Sequence, residues 1–471
     1  MEAGARWPGG FHIEASPGDA RTALTVTGGD PRSGVGKTIR YVLADRSHDA
    51  FADLFAAVAA DFGARIPHCR APASPSGSAP LQPLLTEPLS PKILYGYGDP
   101  CVMREARAAE PPLWWLTATS NDAPDAFPIL YSADLRRWEP AGFVFPQGEA
   151  PHWTLQGLGA ADFWAPEMHR VGEEVWLCFC ARQKDGTLAI GIAKAAGPQG
   201  PYGPPDAPLL TGRVIDPHIF AGRDGTLQLF WKEDSNGVWP ALLVALLHGR
   251  PELADRLFTT AADRRTAALA AAMWPWTREL PPMQRFCAQQ VLIEAATSDF
   301  AGFRRRLAEH AAAEPGLAIA VKPILEAMTT RVLAQPLAPD ASRLIGSPTL
   351  VLQNDQPWEA HLIEGMWVTE QAGRFYMLYS GNDFSTAHYG IGAAVAEHPL
   401  GPWRKTGAPL LQSTADWWGP GHPSVATGPD GRPRLFLHAF FPHRMGYKAF
   451  RALLMAEIAF DSAGVRLLQP H

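Results

Sequence analysis

Five cysteines in 471 residues are too few and too scattered to staple a fold. Cys69, Cys101, Cys178, Cys180 and Cys287 form no Cys-x-x-Cys pair, which excludes a zinc ribbon, and their odd number excludes a closed disulfide framework. Cys178 and Cys180 alternate along a strand and share one face, so core packing is their expected role. Charge is sparse as well. Charged residues make up 19% of the chain, and 41 basic against 47 acidic side chains leave a net charge of −6. That balance offers no broad basic surface for nucleic acid or an anionic membrane. No apolar run reaches the roughly 18 residues that cross a bilayer. The longest, 238–247, stops at His248. The N-terminus, MEAGARWPGGFHIEASPGDA, has no basic stretch leading into an apolar one. No secretory signal is read there, and a reducing cytoplasm is the expected location.

What is abundant is turn formers and tryptophan: 43 glycines, 45 prolines and 16 tryptophans. Proline stands at roughly twice its average share of about 5%, as in a fold built from many turns. Residues 1–65 read as an extension of unknown role, with a hairpin (23–27, then 38–44) and an Ala-rich helix over 48–63. Residues 66–92, IPHCRAPASPSGSAPLQPLLTEPLSPK, read as a Pro/Ser-rich linker. From residue 93 a pattern repeats: a turn glycine, then a short apolar run. It occurs as VGEEVWLCFC, GRDGTLQLFW, QAGRFYMLYS and GPDGRPRLFLH. A second unit also recurs, GIAKAAGPQGPYG and GIGAAVAEHPLGPWRK. Short strands with regular turns predict a mainly β repeat fold, a β-propeller over 93–471. Residues 241–332 break the pattern with Ala/Leu/Arg-rich helical spacing and read as three to five helices inserted into that domain. Outside them roughly 287 residues remain, about 57 per blade for five blades or about 48 for six, and both fit such repeats.

Three acids stand out by context. Asp99 lies in YGYGDPCVMR, Asp216 in RVIDPHIFAG and Glu364 in HLIEGMWVTE. Each sits beside proline or glycine at the edge of an apolar strand, and Asp99 and Asp216 share an Asp-Pro pattern, as repeat-equivalent positions would. Proline fixes φ and removes a donor, which suits a strand start. In a propeller the innermost strands converge, so three carboxylates would meet at one cavity. Glycoside hydrolysis has a use for such a cluster. One carboxylic acid protonates the leaving oxygen, a second carboxylate activates water or attacks, and a third charge nearby raises the acid's pKa.

The order GDPCV, SADLRRW, FWAPEMH, GPQGPYG, VIDPHIF, DGTLQLFWK, WEAHLIEGMWV, FYMLYSG, GPGHPSV, FLHAF and FRALLMAEIAF resembles glycoside hydrolase family 43. These are five-bladed β-propeller arabinofuranosidases and β-xylosidases. The resemblance covers about 93–240 and 331–471. It implies Asp99 as the general base, Glu364 as the general acid and Asp216 as the carboxylate that tunes that acid. It also implies inversion at the anomeric carbon, with Asp99 and Glu364 roughly 6.5–9.5 Å apart. The substrate implied is an oligosaccharide, trimmed exo-wise of α-L-arabinofuranosyl or β-D-xylosyl units. Another sugar (fructoside, galactoside or mannoside) or non-catalytic carbohydrate binding are the alternatives.

Other positions carry weaker assignments. Trp164 in FWAPE reads as a sugar-stacking platform or a core tryptophan. Arg451 resembles an arginine that reaches the substrate, or is a surface strand residue. Trp367 is held among the substrate contacts, although packing is its commoner role, as for His438. His422 in GPGHPSV resembles a histidine near a cation or its waters, so a structural Ca2+ in the central channel is the implied ion, and no cofactor is required for the chemistry. Glu167 stands where relatives have Asp, and Gly365-Met366 stands where they have Gly-Pro or Ala-Pro, which could reshape the subsite beside the acid. The helical block is not a usual part of the family; it reads as a cap on the pocket or as a remote module. PRSGVGKT (31–38) resembles a phosphate loop, but Pro31 replaces its first glycine and no helix is expected after it, so a hairpin turn is the reading.

Overall fold

The computed structural model describes residues 11–16, 23–29, 36–42, 48–64, 80–106, 110–158 and 160–469. The expected turn at 30–35 and the first part of the expected linker, 66–79, lie outside the described residues. The chain divides into two compact units, one of residues 1–70 and 235–329, the other of 71–234 and 330–471.

The first unit joins what the sequence pattern separates. Strands His12–Ser16, Ala23–Gly29 and Gly36–Val42 form an antiparallel sheet, followed by the helix His48–Phe62. Three short strands cannot bury a face alone. Leu24, Val26, Val58 and Phe62 share one core with Leu269, Ala272, Met273 and Ala288 from the later helical block. The extension and the insertion are therefore halves of one discontinuous unit. The block begins earlier than the pattern suggests: Val238–Gly249 is helical, with Pro240 in its tolerant first turn. Five more helices follow among the described residues: Leu253–Leu257, Ala261–Thr277, Pro282–Thr297, Phe300–Ala313 and Pro315–Ala327. That makes six, not three to five. Pro275 does not end its helix, which runs two residues further. Residues 331 and 332, assigned to the block, already belong to a strand, Arg331–Pro336.

The second unit is mainly β, with five antiparallel sheets among the described residues, each built on four strands in chain order, the fifth carrying one strand more. The first has Cys101–Glu105, Leu113–Thr117, Ala126–Ser132 and Glu139–Phe145. The second has Trp164–Val171, Glu174–Arg182, Leu188–Ala195 and Leu210–Gly212. The third has Val214–Ala221, Leu227–Glu233, Arg331–Pro336 and Thr349–Gln353, so the helical block is inserted between its second and third strands. The fourth has Ile363–Gln371, Arg374–Gly381, Gly390–Ala396 and Arg404–Lys405. The fifth has Trp418–Thr427, Pro433–Phe440, Arg451–Asp461 and Gly464–Leu467. Gln82–Leu85 pairs with Arg451–Asp461, so the end of the expected linker is a strand of the fifth sheet.

The repeated turn glycines do what their spacing implies. Gly172, Gly225, Gly373 and Gly431 stand at positive φ in the hairpins that join first to second strands, where a side chain would be strained. Each sheet packs a face on the next. Trp115 and Ile129 of the first meet Leu177 and Phe179 of the second. Ile190 and Ile192 meet Ile219 and Leu229, Phe230 and Val332 meet Val368 and Met377, and Ile391 meets Leu437 and Leu454. The fifth returns to the first, as Phe436 and Leu453 meet Val102 and Trp114. A sheet covered on both faces explains why Val214–Ala221 is buried along nearly its whole length. Cys178 and Cys180 are buried free thiols on one strand, as expected.

Candidate active site

One backbone feature recurs at the start of every sheet of the second unit. Asp99, Ala165, Asp216, Gly365 and His422 all have positive φ, between 46° and 56°. In four of the five the next residue is proline (Pro100, Pro166, Pro217, Pro423), and in the fourth sheet it is Met366. Strand register slips between Ile215 and His218, between Glu364 and Trp367, and between Gly421 and Ser424. These are bulges, which re-aim side chains out of the ladder. A non-glycine residue in the left-handed region costs on the order of 1–3 kcal/mol, and such strain collects at functional sites. Here it falls on two aspartates, a histidine and Ala165. Gly365 is obligatory for a second reason: a Cβ there would lie 2.8 Å from His422 Nδ1.

The bulges gather the three predicted acids. Asp99 Oδ1 pairs with Arg451 Nη1 at 2.7 Å, and Thr119 donates to Asp99 Oδ2 at 2.5 Å. The Asp99 N–H donates to His438 Nδ1 at 3.0 Å, and His422 Nδ1 lies 3.4 Å from Asp99 Oδ1. Burial alone would push the Asp99 carboxyl up, but Arg451, His422, His438 and Thr119 outweigh it and hold it well below the usual carboxylate range. Asp216 Oδ2 accepts the N–H of Gly365 at 2.9 Å. Its carboxyl is pushed up to about 7, first by burial and then by the charge of Glu364. Glu364 accepts from Lys232 Nζ at 2.8 Å on Oε2 and from Tyr389 OH at 2.9 Å on Oε1. One acid is thus held ionised, and two others share a buried, coupled environment.

Arg451 lies at the cluster, as the ion-pair partner of Asp99. Gly98 makes room for it, since a Cβ at Gly98 would overlap its guanidinium. Trp164 is half-buried, donates to Asn121 Oδ1 at 3.1 Å and lies under Arg182. Trp367 is not in the cluster. It is buried in the core against His218 and His169, with ring centroids 4.9 and 5.6 Å away, which corrects its assignment as a sugar contact. Met366 is buried in the core between the third and fourth sheets, so its difference from proline does not place a side chain beside the acid. Lys232, Tyr389 and Thr119 escape the sequence reading. The available signal for Lys232 is a lysine ending the apolar run LQLFW; nothing marks the other two.

The donors do not fit a resident metal. Asp99, the carboxylate that faces His422, is already neutralised by Arg451, whereas calcium calls for several free oxygen ligands. Glu167, His169 and His218 bring ligand-type atoms within 4.8 Å of one another, but their hydrogen bonds account for them. His218 Nε2 accepts the Val368 N–H at 3.0 Å, so its Nδ1 carries the proton and donates to Glu167 Oε2 at 2.7 Å. His169 Nε2 meets the same oxygen at 2.9 Å. Burial would raise the Glu167 carboxyl, but the two histidines outweigh it and hold it at about 2. An ion would need the lone pairs those protons occupy. Glu167 is the anchor of two core imidazoles, and neither set is a metal site.

The family model described as glycosyl hydrolases family 43 matches residues 91–247 and 321–465, more than half of the chain. The unmatched gap falls in the helical block. A xylosidase/arabinosidase 43A of Humicola insolens is 33% identical over 76 residues, 16% of this chain and 22% of that enzyme, so the match spans about a fifth of that relative's length. A β-xylosidase of Xylanibacter ruminicola is 22% identical over 289 residues, 61% of this chain and 68% of that enzyme. The crystal structure of a thermostable family-43 glycoside hydrolase superposes with a TM-score of 0.55 at 24% identity, covering 80% of this chain and 93% of that one. That last likeness is one of fold.

Proposed function

The chain belongs to glycosyl hydrolases family 43, a family of glycosidases, and from that premise we propose that it is an inverting, exo-acting hydrolase of α-L-arabinofuranosyl or β-D-xylosyl units on oligosaccharides. The five sheets are read as the blades of a five-bladed β-propeller, supported by the way the fifth packs back on the first. The observation that carries the reading is the opposed state of the acids: Asp99 locked as a carboxylate by Arg451, and Asp216 able to hold a proton beside Glu364.

Asp99 takes a proton from the attacking water, which needs an ionised base at working pH. Arg451 on one oxygen and the Thr119 hydroxyl on the other supply that. Glu364 gives its proton to the leaving oxygen as the glycosidic bond breaks. The mutual repulsion of Asp216 and Glu364 keeps one proton in the buried pair near neutral pH, where isolated carboxyls would have lost it. The names of the relatives support the sugar class, and the bulged cluster supports the chemistry.

The test is a panel of aryl glycosides with purified protein. Turnover of the α-L-arabinofuranoside or the β-D-xyloside is expected to exceed that of the β-D-galactoside and the fructoside by at least 10²-fold, with release of single sugars from the corresponding oligosaccharide. Turnover confined to one of the other two sugars would overturn the sugar assignment.

A further inference from the structure

Arg451 opens the third strand of the fifth sheet, directly after the connection 441–450 that leads in from Pro433–Phe440. Its backbone is clasped by the segment before the first sheet. The Arg451 N–H donates to the Tyr95 carbonyl at 3.3 Å, and the Arg451 carbonyl accepts from the Tyr97 N–H at 2.8 Å. Gly96, between them, stands at positive φ, and a Cβ there would lie 2.4 Å from the Arg451 carbonyl oxygen. The same two segments meet a second time at Asp122. Tyr95 donates its hydroxyl to Asp122 Oδ1 at 2.7 Å, and Lys448 donates its ammonium to Asp122 Oδ2 at 2.5 Å. The Asp122 side chain is 2% exposed and that of Lys448 11%, so this is a buried, charge-assisted bond rather than a screened surface pair. We propose that Lys448 is a positioning residue: its ion pair with Asp122 holds the connection 441–450 so that the Arg451 guanidinium stays seated on Asp99. That Asp99 is the base rests on the reading above; the seating of Arg451 does not.

The contacts close into a ring. It runs from Asp122 through the Lys448 side chain to the backbone of 448–451, across the backbone pairing to Tyr95, and through the Tyr95 hydroxyl back to Asp122. Arg451 projects from that ring, with Nη1 2.7 Å from Asp99 Oδ1. An arginine side chain loses much rotamer freedom when it is held, so keeping its guanidinium on one carboxylate oxygen requires a fixed Cα. The pairing with 95–97 fixes that Cα from one side, and the Lys448 bond fixes the chain leading into it. Asp122 also follows closely on Thr119, which donates to the other oxygen of Asp99 and whose N–H is bound by the Gly98 carbonyl at 2.8 Å. The junction therefore serves both groups that hold the base. Lys448 has a left-handed backbone, φ 65°, which is uncommon for a residue with a side chain. Its ammonium lies over the rings of Tyr95 and Tyr447, 5.6 and 5.7 Å from their centroids. Tyr447 in turn donates to Asp162 Oδ1 at 2.9 Å, on the approach to the second sheet.

The consequence for the base has a definite sign. Asp99 is faced by Arg451, His422 and His438 of the fifth sheet, by the Thr119 hydroxyl beside the first and by the carboxyl of Asp216 of the third. Burial and Asp216 favour its protonated form, and Arg451 leads the groups that oppose it. A guanidinium that swings away lets burial push the Asp99 carboxyl up. The base must be ionised to take a proton from water, so the acid limb of the rate profile rises with it.

The test compares Lys448→Met, Lys448→Arg and the double variant Asp122→Asn/Lys448→Met with the wild type. Crystal structures read the seating without reference to activity. In Lys448→Met the Arg451 guanidinium should leave Asp99 Oδ1, and in Lys448→Arg it should stay. In the pH profile of kcat/KM the acid limb should move up by about one to three pH units in Lys448→Met, the effect of withdrawing an opposite charge from contact distance, and return in Lys448→Arg. At pH 7 the loss in Lys448→Met should be about 10- to 100-fold and fall on kcat rather than KM. Lys448→Met also leaves the Asp122 charge without its ammonium, and that charge would act on Asp99 through space. The double variant removes both charges and keeps an acceptor for Tyr95, and it decides the matter should the single variant not fold. Its acid limb is expected to stay displaced. Arg451 still seated on Asp99 without Lys448, or an acid limb back at the wild-type position in the double variant, overturns the proposal. A lowered melting temperature with limb and kcat unchanged makes the pair a structural tie and overturns it as well. No turnover of either sugar together with a displaced guanidinium upholds the positioning role and rejects the sugar reading.

Discussion

Asp99→Asn should lower kcat/KM on the preferred aryl glycoside by about 10³–10⁴-fold, at the upper end of what removal of a general base costs. The substitution is nearly isosteric. The amide oxygen can still accept from Arg451, which approaches Oδ1 at 2.7 Å, and the Asp99 N–H can still reach His438. The backbone at this residue stays at positive φ, which asparagine tolerates better than most residues. Geometry therefore survives and the base does not. KM should change by less than about threefold, since the loss falls on the transition state rather than on binding. The acid limb of the pH profile should show no base titrating near neutrality in the wild type, because Asp99 is ionised far below the assay range. Loss of substrate binding with kcat intact would place Asp99 in recognition instead of chemistry.

Glu364→Gln should show a loss that depends on the leaving group. With a dinitrophenyl leaving group, which departs without a proton, the fall in kcat/KM should stay below about tenfold. With an unactivated disaccharide it should reach about 10²–10⁴-fold. Glutamine can accept from Tyr389 through its oxygen, but its amide would face the Lys232 ammonium where a carboxylate oxygen stood at 2.8 Å. Removing one partner of a buried pair costs up to about 3–5 kcal/mol, here lessened by Asp234, 3.9 Å from the same ammonium. A melting curve alongside the kinetics separates that cost from catalysis, because a destabilised but correct site loses both leaving-group classes equally. In the wild type, activity should fall on the alkaline side as the buried pair loses its shared proton, from about pH 7 upward. The sign follows from the role: the acid must be protonated to act, and a pair raised by burial and mutual repulsion keeps its proton to higher pH.

The repeated units were legible because turn glycines and apolar runs are local signals, and they predicted the hairpins at Gly172, Gly225, Gly373 and Gly431. Asp99 and Asp216 were legible as a pair because an Asp-Pro bulge has the same backbone requirement in each sheet. The same requirement places Ala165 and His422 at equivalent positions, where only the following proline betrays them. What stayed hidden is long-range. Lys232 meets Glu364 across 132 positions, and His218 meets Glu167 across 51; no local pattern announces either. Trp367 is ambiguous in sequence between substrate contact and packing, because a tryptophan near an acid stays so until the bulge between Glu364 and Trp367 decides which face it takes. The discontinuous first unit was hidden for a related reason. An Ala-rich helix has little periodicity of its own, and its partner sheet lies more than 200 residues earlier. The helical block starts at Val238, before 241, because proline in a first helical turn, here Pro240, is no obstacle.

The stereochemical course of hydrolysis tests the central claim most directly. Proton NMR of the first minutes of reaction with an aryl β-D-xyloside or α-L-arabinofuranoside, before mutarotation, reads the anomer released by the enzyme. A single water held between Asp99 and Glu364 predicts α-xylose or β-arabinose first, with no product from Asp99→Asn on the same timescale. A first product of retained configuration, or inverted product formed unchanged by Asp99→Asn, would contradict the assignment of Asp99 as the base.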